Sequence, residues 1–211
     1  MEHPAQEIAS VITSLTTGSP QQQQDTLAEY FSPNASFSHP FCHVPSFSKG
    51  AVPLARNTDS LWVILCIYRW YRTLSPNIDI TVDSAVFDQR TNTLYVNIHQ
   101  TFAVWFIPFY SARVRLLTVL TLEQRTSSSS SAAASRAALS GPGQERAKYY
   151  ISAQEDLYQM NDCVQFLVPR VGPWLWLLWQ LFSTSLCVLG ALVLLPVYYL
   201  LNGGKTAKKV A

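Results

Sequence analysis

Three side chains in the middle and late parts of the chain could move a proton: Asp83, His99 and Asp156. Each lies in a stretch of alternating character, with Tyr95 near His99 and Tyr158 two positions beyond Asp156. A carboxylate or imidazole among apolar walls has its pKa moved by desolvation, and a neighbouring phenol can donate to a substrate oxygen. The chemistry this suits is proton transfer on a small molecule. The same residues also read as surface groups. His99 shares a strand face with Tyr95, Asn97 and Thr101, and periodicity alone leaves that face as cavity lining or solvent side. Asp83 stands opposite Ile80 and Val82, and Asp156 follows the charged Glu155.

Other chemistries lack their spacing. Cys42, Cys66, Cys163 and Cys187 form no C-x-x-C pair, and Cys187 falls in an apolar run, which points to free thiols in a reducing compartment. His39 and His43 flank Pro40 in an expected loop, with no third metal ligand nearby. No Gly-rich phosphate loop, nucleophile elbow or H-E-x-x-H occurs. The expectation is therefore no metal and no cofactor. The 211 residues carry 15 Lys and Arg against 13 Asp and Glu, and beyond Val171 the only charges are Lys205, Lys208 and Lys209. The rest is close to neutral and offers no basic face for phosphates, so nucleic acid is not an expected partner.

The elements that must position these residues are legible as two regimes. Ile8, Val11, Ile12 and Leu15 recur at helical spacing over 4–16, and Gly18-Ser19-Pro20 ends that helix. A second short helix through Leu27–Phe31 closes at Ser32-Pro33-Asn34, and residues 35–43 look extended. A longer helix runs from 58 to 74, capped by Asp59 or Ser60, with Leu61, Ile64, Leu65, Tyr68 and Tyr71 along one side. After Ser75-Pro76-Asn77 the period becomes two. Residues 78–87 and 94–102 form a hairpin, and 113–123 and 149–158 are further strands. Between them, the Ser- and Ala-rich stretch 126–147 reads as a disordered loop insertion. Helices first and a meander of long strands second make an α+β domain, a curved antiparallel sheet with N-terminal helices on one face.

The stretch from Phe102 to Tyr110 is almost wholly apolar and aromatic, and Pro108 breaks any central strand. It is either core and cavity mouth or a loop that dips Trp105 and Phe106 into a bilayer.

From Trp174 to Leu201 no residue is charged, which exceeds the ~20 residues a helix needs to cross the hydrocarbon core. Trp174, Trp176 and Trp179 crowd one end and Tyr198 and Tyr199 the other, as amphipathic rings do at the headgroup levels. One C-terminal transmembrane helix is the expectation, and a hairpin bent at Ser183–Ser185 is the alternative. Lys208 and Lys209 sit fourth and third from the end and match the dilysine retrieval pattern of the endoplasmic reticulum. The lysine-rich tail favours a cytosolic tail, hence a lumenal domain for one span. The polar first residues, which predict no signal peptide, favour a tail-anchored protein with a cytosolic domain. The latter is our expectation. The organisation is then a domain at 1–170, a membrane segment at 171–202 and a basic tail at 203–211.

The helix-to-strand entry Leu27-Ala-Glu-Tyr-Phe-Ser-Pro-Asn-Ala-Ser-Phe-Ser-His-Pro, the hairpin of 78–87 and 94–102 and the last strand resemble the nuclear transport factor 2-like superfamily. More narrowly, the chain resembles its fungal, membrane-anchored SigF-like members. The resemblance implies a cone closed by the helices. It also implies either a binding module or an enzyme working inside the cone. The expectation is a membrane-anchored cone that binds a hydrophobic small molecule or a protein partner at the endoplasmic reticulum. Tyr95, Trp105, Phe106 and Tyr158 are the candidate ligand contacts. The alternative is an isomerase, cyclase or dehydratase acting on a lipophilic polyketide or terpenoid intermediate, with His99, Asp83 or Asp156 as acid or base.

Overall fold

The structure, a computed structural model, describes residues 1–53, 56–107, 110–125, 148–168 and 171–202, side chains of 165–167 and 201–202 excepted. The chain opens with helices α1 (Pro4–Thr17) and α2 (Pro20–Tyr30). α1 buries Ile8, Val11, Ile12 and Leu15 along one stripe. Ser19 starts α2 with a reciprocal cap: its hydroxyl accepts from the Gln22 amide at 3.2 Å, and the Gln22 side chain accepts from the Ser19 amide at 2.8 Å. Buried Gln23 then donates to the Leu15 carbonyl at 2.7 Å, which locks the two helices together. Strands β1 (Phe31–His39) and β2 (Cys42–Val44) follow, and α3 (Ser60–Leu74) begins at the Asp59 cap, which accepts from the Trp62 amide at 2.8 Å.

The remaining strands are β3 (Asp79–Asp88), β4 (Thr93–Phe102), β5 (Ala112–Arg125) and β6 (Lys148–Tyr158). All six form one sheet in the order β2-β1-β6-β5-β4-β3. The fold is α+β, with N-terminal helices over a curved, open sheet. One pairing departs from an antiparallel meander. β1 lies parallel to β6, with Phe37 opposite Gln154 and Ser38 opposite Glu155. The core sits between helices and sheet, where Leu94, Val96 and Ile98 of β4 and Leu116, Leu120 and Leu122 of β5 meet Ile8, Leu15, Leu27 and Ile64.

Two bulges interrupt the ladders. In β3, Asp83 is left without an opposite number between Val82 and Ser84. In β6, Ser152 is left out, because Leu122 faces Ile151 and Thr121 faces Ala153. A bulge reverses which side of the sheet the following residues occupy. Before Ser152 it is the odd-numbered Ile151 that faces the core. After it, Gln154, Asp156 and Tyr158 stand opposite the inward Leu120, Thr118 and Leu116.

Beyond β6 a short helix not expected from the sequence, α4 (Met160–Leu167), packs on β5, and α5 (Gly172–Val193) follows. α5 is long and apolar enough to cross a membrane, and no part of its apolar window is buried in the protein. It runs unbroken through Ser183–Ser185, where a hairpin would have bent. Thr184 and Ser185 instead donate their hydroxyls to the Gln180 and Leu181 carbonyls, at 2.8 and 2.9 Å. The interruption falls at Leu194, just before Pro196, which lacks an amide to continue the ladder; α6 (Leu195–Asn202) resumes after it. The insertion expected at 126–147 and the lysines of the tail lie outside the described residues.

If Ser152 is the extra residue that sets the inward face of β6, deleting it should be tolerated nearly as well as truncating its side chain, because Ile151 then joins Ala153 in a regular ladder that keeps Gln154, Asp156 and Tyr158 inward. Ser152→Ala loses one hydroxyl contact to the Thr121 carbonyl, at 3.0 Å, and should cost ~1 kcal/mol. Deleting Ser152 and Ala153 together should instead put Gln154, Asp156 and Tyr158 on the outer face and abolish cooperative thermal unfolding. Loss of cooperative unfolding on deleting Ser152 alone would refute the role given to the bulge.

Candidate functional site

The inward face of the sheet and the undersides of α1 and α3 enclose a cavity of about 80 Å³. Its walls are mostly apolar. α1 gives Ile8, Val11, Ile12 and Leu15, and the sheet gives Phe37, Ile98, Phe102, Leu116 and Leu120. The polar groups gather on one side, where β1, β5, β6 and α3 converge. They are His39, Tyr68, Tyr71, Gln100, Thr118, Gln154, Asp156 and Tyr158.

Asp156 is the centre of this group. Its Oδ1 accepts from Thr118 Oγ1 at 2.7 Å, and Gln154 Nε2 donates to Oδ1 and Oδ2 at 3.1 and 3.2 Å. The Gln154 amide oxygen accepts in turn from the Tyr68 hydroxyl at 3.0 Å. Asp156 keeps part of its surface accessible, as a residue lining a cavity does. Burial nevertheless dominates over the hydrogen bonds from Thr118 and Gln154 and raises its carboxyl to about 6.

His39, the last residue of β1, sits across from it. Its ring lies 5.0 Å from that of Tyr158 and 5.5 Å from that of Tyr71. Nδ1 lies 3.3 Å from both the Phe41 amide and the Tyr71 hydroxyl. An amide can only donate, so Nδ1 is an acceptor and the neutral ring carries its proton on Nε2. Burial lowers this imidazole to about 4. Burial also raises the phenols of Tyr68, Tyr71 and Tyr158, with Gln100 Nε2 donating to the Tyr158 oxygen at 3.0 Å. Near pH 7 the cavity holds a neutral imidazole, three un-ionised phenols and one carboxyl group that exchanges its proton close to that pH. The set can accept, donate and shuttle a proton without a bound ion. No group of three or more His, Cys, Asp or Glu residues among the described ones is arranged to hold a metal.

The structure divides the residues singled out from the sequence. Asp156 and Tyr158 line the cavity. Asp83 and His99 lie on the outer face of the sheet, where the bulged Asp83 turns its carboxylate to His99 Nδ1 in a half-exposed pair. Tyr95 is on that outer face too, opposite Val86 and Val119. Trp105 and Phe106 stand exposed in the segment after β4, their rings edge to face. His39, Tyr68, Tyr71, Thr118 and Gln154 were not singled out as site residues. Tyr68 and Tyr71 had been counted as an apolar stripe, which hid that their hydroxyls reach beyond it.

The opposed shifts of Asp156 and His39 act on stability with opposite signs. Asp156 binds its proton more tightly folded than unfolded, so its stabilising effect is full below the ordinary 3.8 and is lost as pH rises through about 6. His39 binds its proton less tightly folded, so its effect is full above the ordinary 6.5 and is lost as pH falls through about 4. The wild type should therefore hold a nearly flat unfolding free energy between those limits. Asp156→Asn should leave a stability that rises across this window by on the order of 2–3 kcal/mol, and His39→Gln one that falls by a similar amount. Denaturant titrations of the full chain in mild detergent at a series of pH values check this. Identical slopes in all three proteins would overturn it.

The chain matches the family described as SigF NTF2-like domain over residues 1–130 and 139–197. No curated protein matches it. Among solved structures it is similar in outline to a putative SnoaL-like polyketide cyclase from Jannaschia sp. CCS1, at 10% identity and a TM-score of 0.45 over 78% of this chain and 92% of that one. A hypothetical protein with a ketosteroid isomerase-like fold from Catenulispora acidiphila DSM 44928, solved with trimethylamine, gives 11% and 0.44 over 73% and 88%. An LEH-like epoxide hydrolase from M. tuberculosis gives 7% and 0.42 over 78% and 93%.

Proposed function

We propose, from the premise that the chain belongs to the SigF NTF2-like domain family, that it is a membrane-anchored cone that takes a lipophilic small molecule into its cavity. The observation that carries the reading is the cavity itself, lined on the α1 side by Ile8, Val11, Ile12 and Leu15 with Thr16 at the end of the helix, and with most of its polar groups around Asp156, His39 and Tyr158. Such a site buries a hydrocarbon body and orients it by one oxygen-bearing end. A single water needs about 10–15 Å³, so about 80 Å³ is a narrow space. It suits one chain or one ring better than a fused polycycle.

The anchor in this reading is α5, whose length, uncharged surface and end-placed tryptophans support insertion. This reading puts the anchor in the endoplasmic reticulum with the cone on the cytosolic side; one span then carries Lys208 and Lys209 to the lumenal side, where the dilysine pattern is not read. Exposed Asn34 in the sequon Asn34-Ala35-Ser36 offers a direct check. Expressed in eukaryotic cells, the protein should keep its gel mobility after endoglycosidase treatment. A shift traced to Asn34 would put the cone in the lumen.

One observation favours a second reading, turnover of the ligand. Asp156, raised by burial to about 6, can exchange a proton near neutral pH, and His39, lowered to about 4, stays at that pH a neutral ring that donates through Nε2. In that reading the Asp156 carboxylate takes the proton from one atom of the ligand and returns it to another, while His39 Nε2–H and the Tyr158 hydroxyl donate hydrogen bonds to the oxygen that carries the developing charge. The class is an isomerisation, cyclisation or dehydration, none of which needs a redox partner.

Lipid extraction and mass spectrometry of the full-length protein in mild detergent separate these outcomes. One lipophilic species should co-purify with the wild type and be lost from a cavity-filling Leu116→Trp variant. Bulk phospholipid alone in the wild type would overturn the reading. The same species in wild type and Asp156→Asn indicates binding alone, whereas a distinct precursor held by Asp156→Asn indicates turnover.

A further inference from the structure

α3 carries more apolar surface than the core uses. Ile64 and Leu65 are buried, and Val63, Cys66, Ile67, Trp70 and Leu74 follow a second stripe at helical spacing that lines a groove at the edge of the core, with Val63 and Ile67 packing against the core as well. The segment after β4 lies along that stripe. It is tethered by the Trp105 amide to the Leu74 carbonyl at 3.3 Å and by the Ala103 amide to Ser75 Oγ at 3.1 Å. Val104, Phe106, Ile107 and Tyr110 complete a groove of about 520 Å³ with no charged residue among those that line it. At its lip Trp105 is 69% exposed and Trp70 is 61% exposed. A contiguous apolar surface of this kind is a binding surface.

Two further features say what it meets. Phe41, Ile67, Tyr71 and Phe102 line both this groove and the cavity, so those four side chains are the wall between them. The rings of Tyr71 and Phe102 touch edge to face at 6.3 Å. The anchor also leaves the cone at the groove's end of the sheet. β6 stops at Tyr158, opposite Leu116, and α4 packs on β5, whose first residue, Ala112, closely follows the groove segment. The Arg115 backbone hydrogen-bonds to Asp162 of α4, and α5 continues from there.

We propose that this groove is seated in the surface of the bilayer that holds α5, takes one acyl chain of a membrane lipid, and is the entrance through which the cavity is filled. The inference rests on the reading of the protein as an anchored lipophile-binding cone. Indole and phenol rings at the lip of an uncharged groove suit the headgroup level, where one end of each ring is wet and the other is not. A ligand dissolved in the bilayer then reaches the cavity by displacing Phe41, Tyr71 and Phe102, never crossing water.

The test uses the full chain in phosphatidylcholine nanodiscs containing a phosphatidylcholine with a photoactivatable diazirine on its acyl chain, with adducts located by peptide mass spectrometry. Adducts are expected on peptides covering 63–74 and 102–107 as well as on α5. Phe106→Ser with Ile107→Ser should cut the first two several-fold and leave those on α5 unchanged. Adducts confined to α5 in the wild type overturn the proposal, whatever the variant does. Native mass spectrometry of the same nanodiscs keeps the two levels apart. A lipophile retained without groove adducts removes the entrance alone, whereas loss of both removes the cone reading with it.

Discussion

The site depends on burying Asp156 among apolar side chains, and that in turn depends on one residue, Ser152, having no partner in the β5 ladder. With a regular ladder, Ile151 would share its face with Ala153, Glu155 and Leu157, and the inside of the cone would lose its polar end. The bulge instead brings Gln154, Asp156 and Tyr158 to the face that α1 covers. A carboxylate so placed is costly unless its oxygens are satisfied. Thr118 stands opposite it on β5 and Gln154 two residues before it on β6, and both donate to it. The parallel pairing of β1 with β6 then brings His39 to the same end. One irregularity in one strand therefore assembles a cluster whose members lie more than a hundred residues apart.

The cluster has the electrostatic character of a site kept neutral. Burial raises the carboxyl and lowers the imidazole, so both drift towards their uncharged forms as water is excluded. The pair on the outer face of the sheet, Asp83 with His99, is a different kind of object, a side-chain contact outside the cavity. It is half-exposed and lies beside the bulge that turns Asp83 sideways. Of these two His–Asp combinations, the residues of the buried one line the cavity.

The fold was legible because its signals are periodic. α1, α3 and the strands of the meander follow from spacing, and the Asp59 cap follows from residue type. What escaped was long-range or aperiodic. Nothing in Phe31–His39 indicates a parallel partner more than a hundred residues away, and Pro40 made His39 look like a loop residue. The Ser152 bulge carries no glycine to mark it, and Glu155 beside Asp156 made the pair look like a charged surface. Tyr158 and Asp156 were chosen as residue types, but their orientation could not be read without the bulge. α4 is only two turns long and was hidden in the approach to the apolar run. The second stripe of α3 was present in the sequence as Val63, Cys66, Ile67, Trp70 and Leu74. It was overlooked because a helix with apolar residues on two faces reads as one buried on both.

That stripe also bears on how a narrow cavity can serve a lipophilic ligand. A closed apolar space of this size cannot be filled from water at low cost, since the ligand would first have to leave the membrane that dissolves it. A wall of three aromatic rings and one isoleucine between cavity and groove offers a different exchange. Apolar surface exposed by a moving Phe41 or Phe102 would meet another hydrocarbon instead of water, so opening costs little hydrophobic free energy while the groove is in a bilayer. In water the same opening would expose those rings, and the cavity would stay shut. With the groove seated in a bilayer as proposed, coupling of opening to the membrane would require no dedicated switch. It follows from having the cavity, the groove and the anchor at one end of the sheet, with aromatic side chains as the partition.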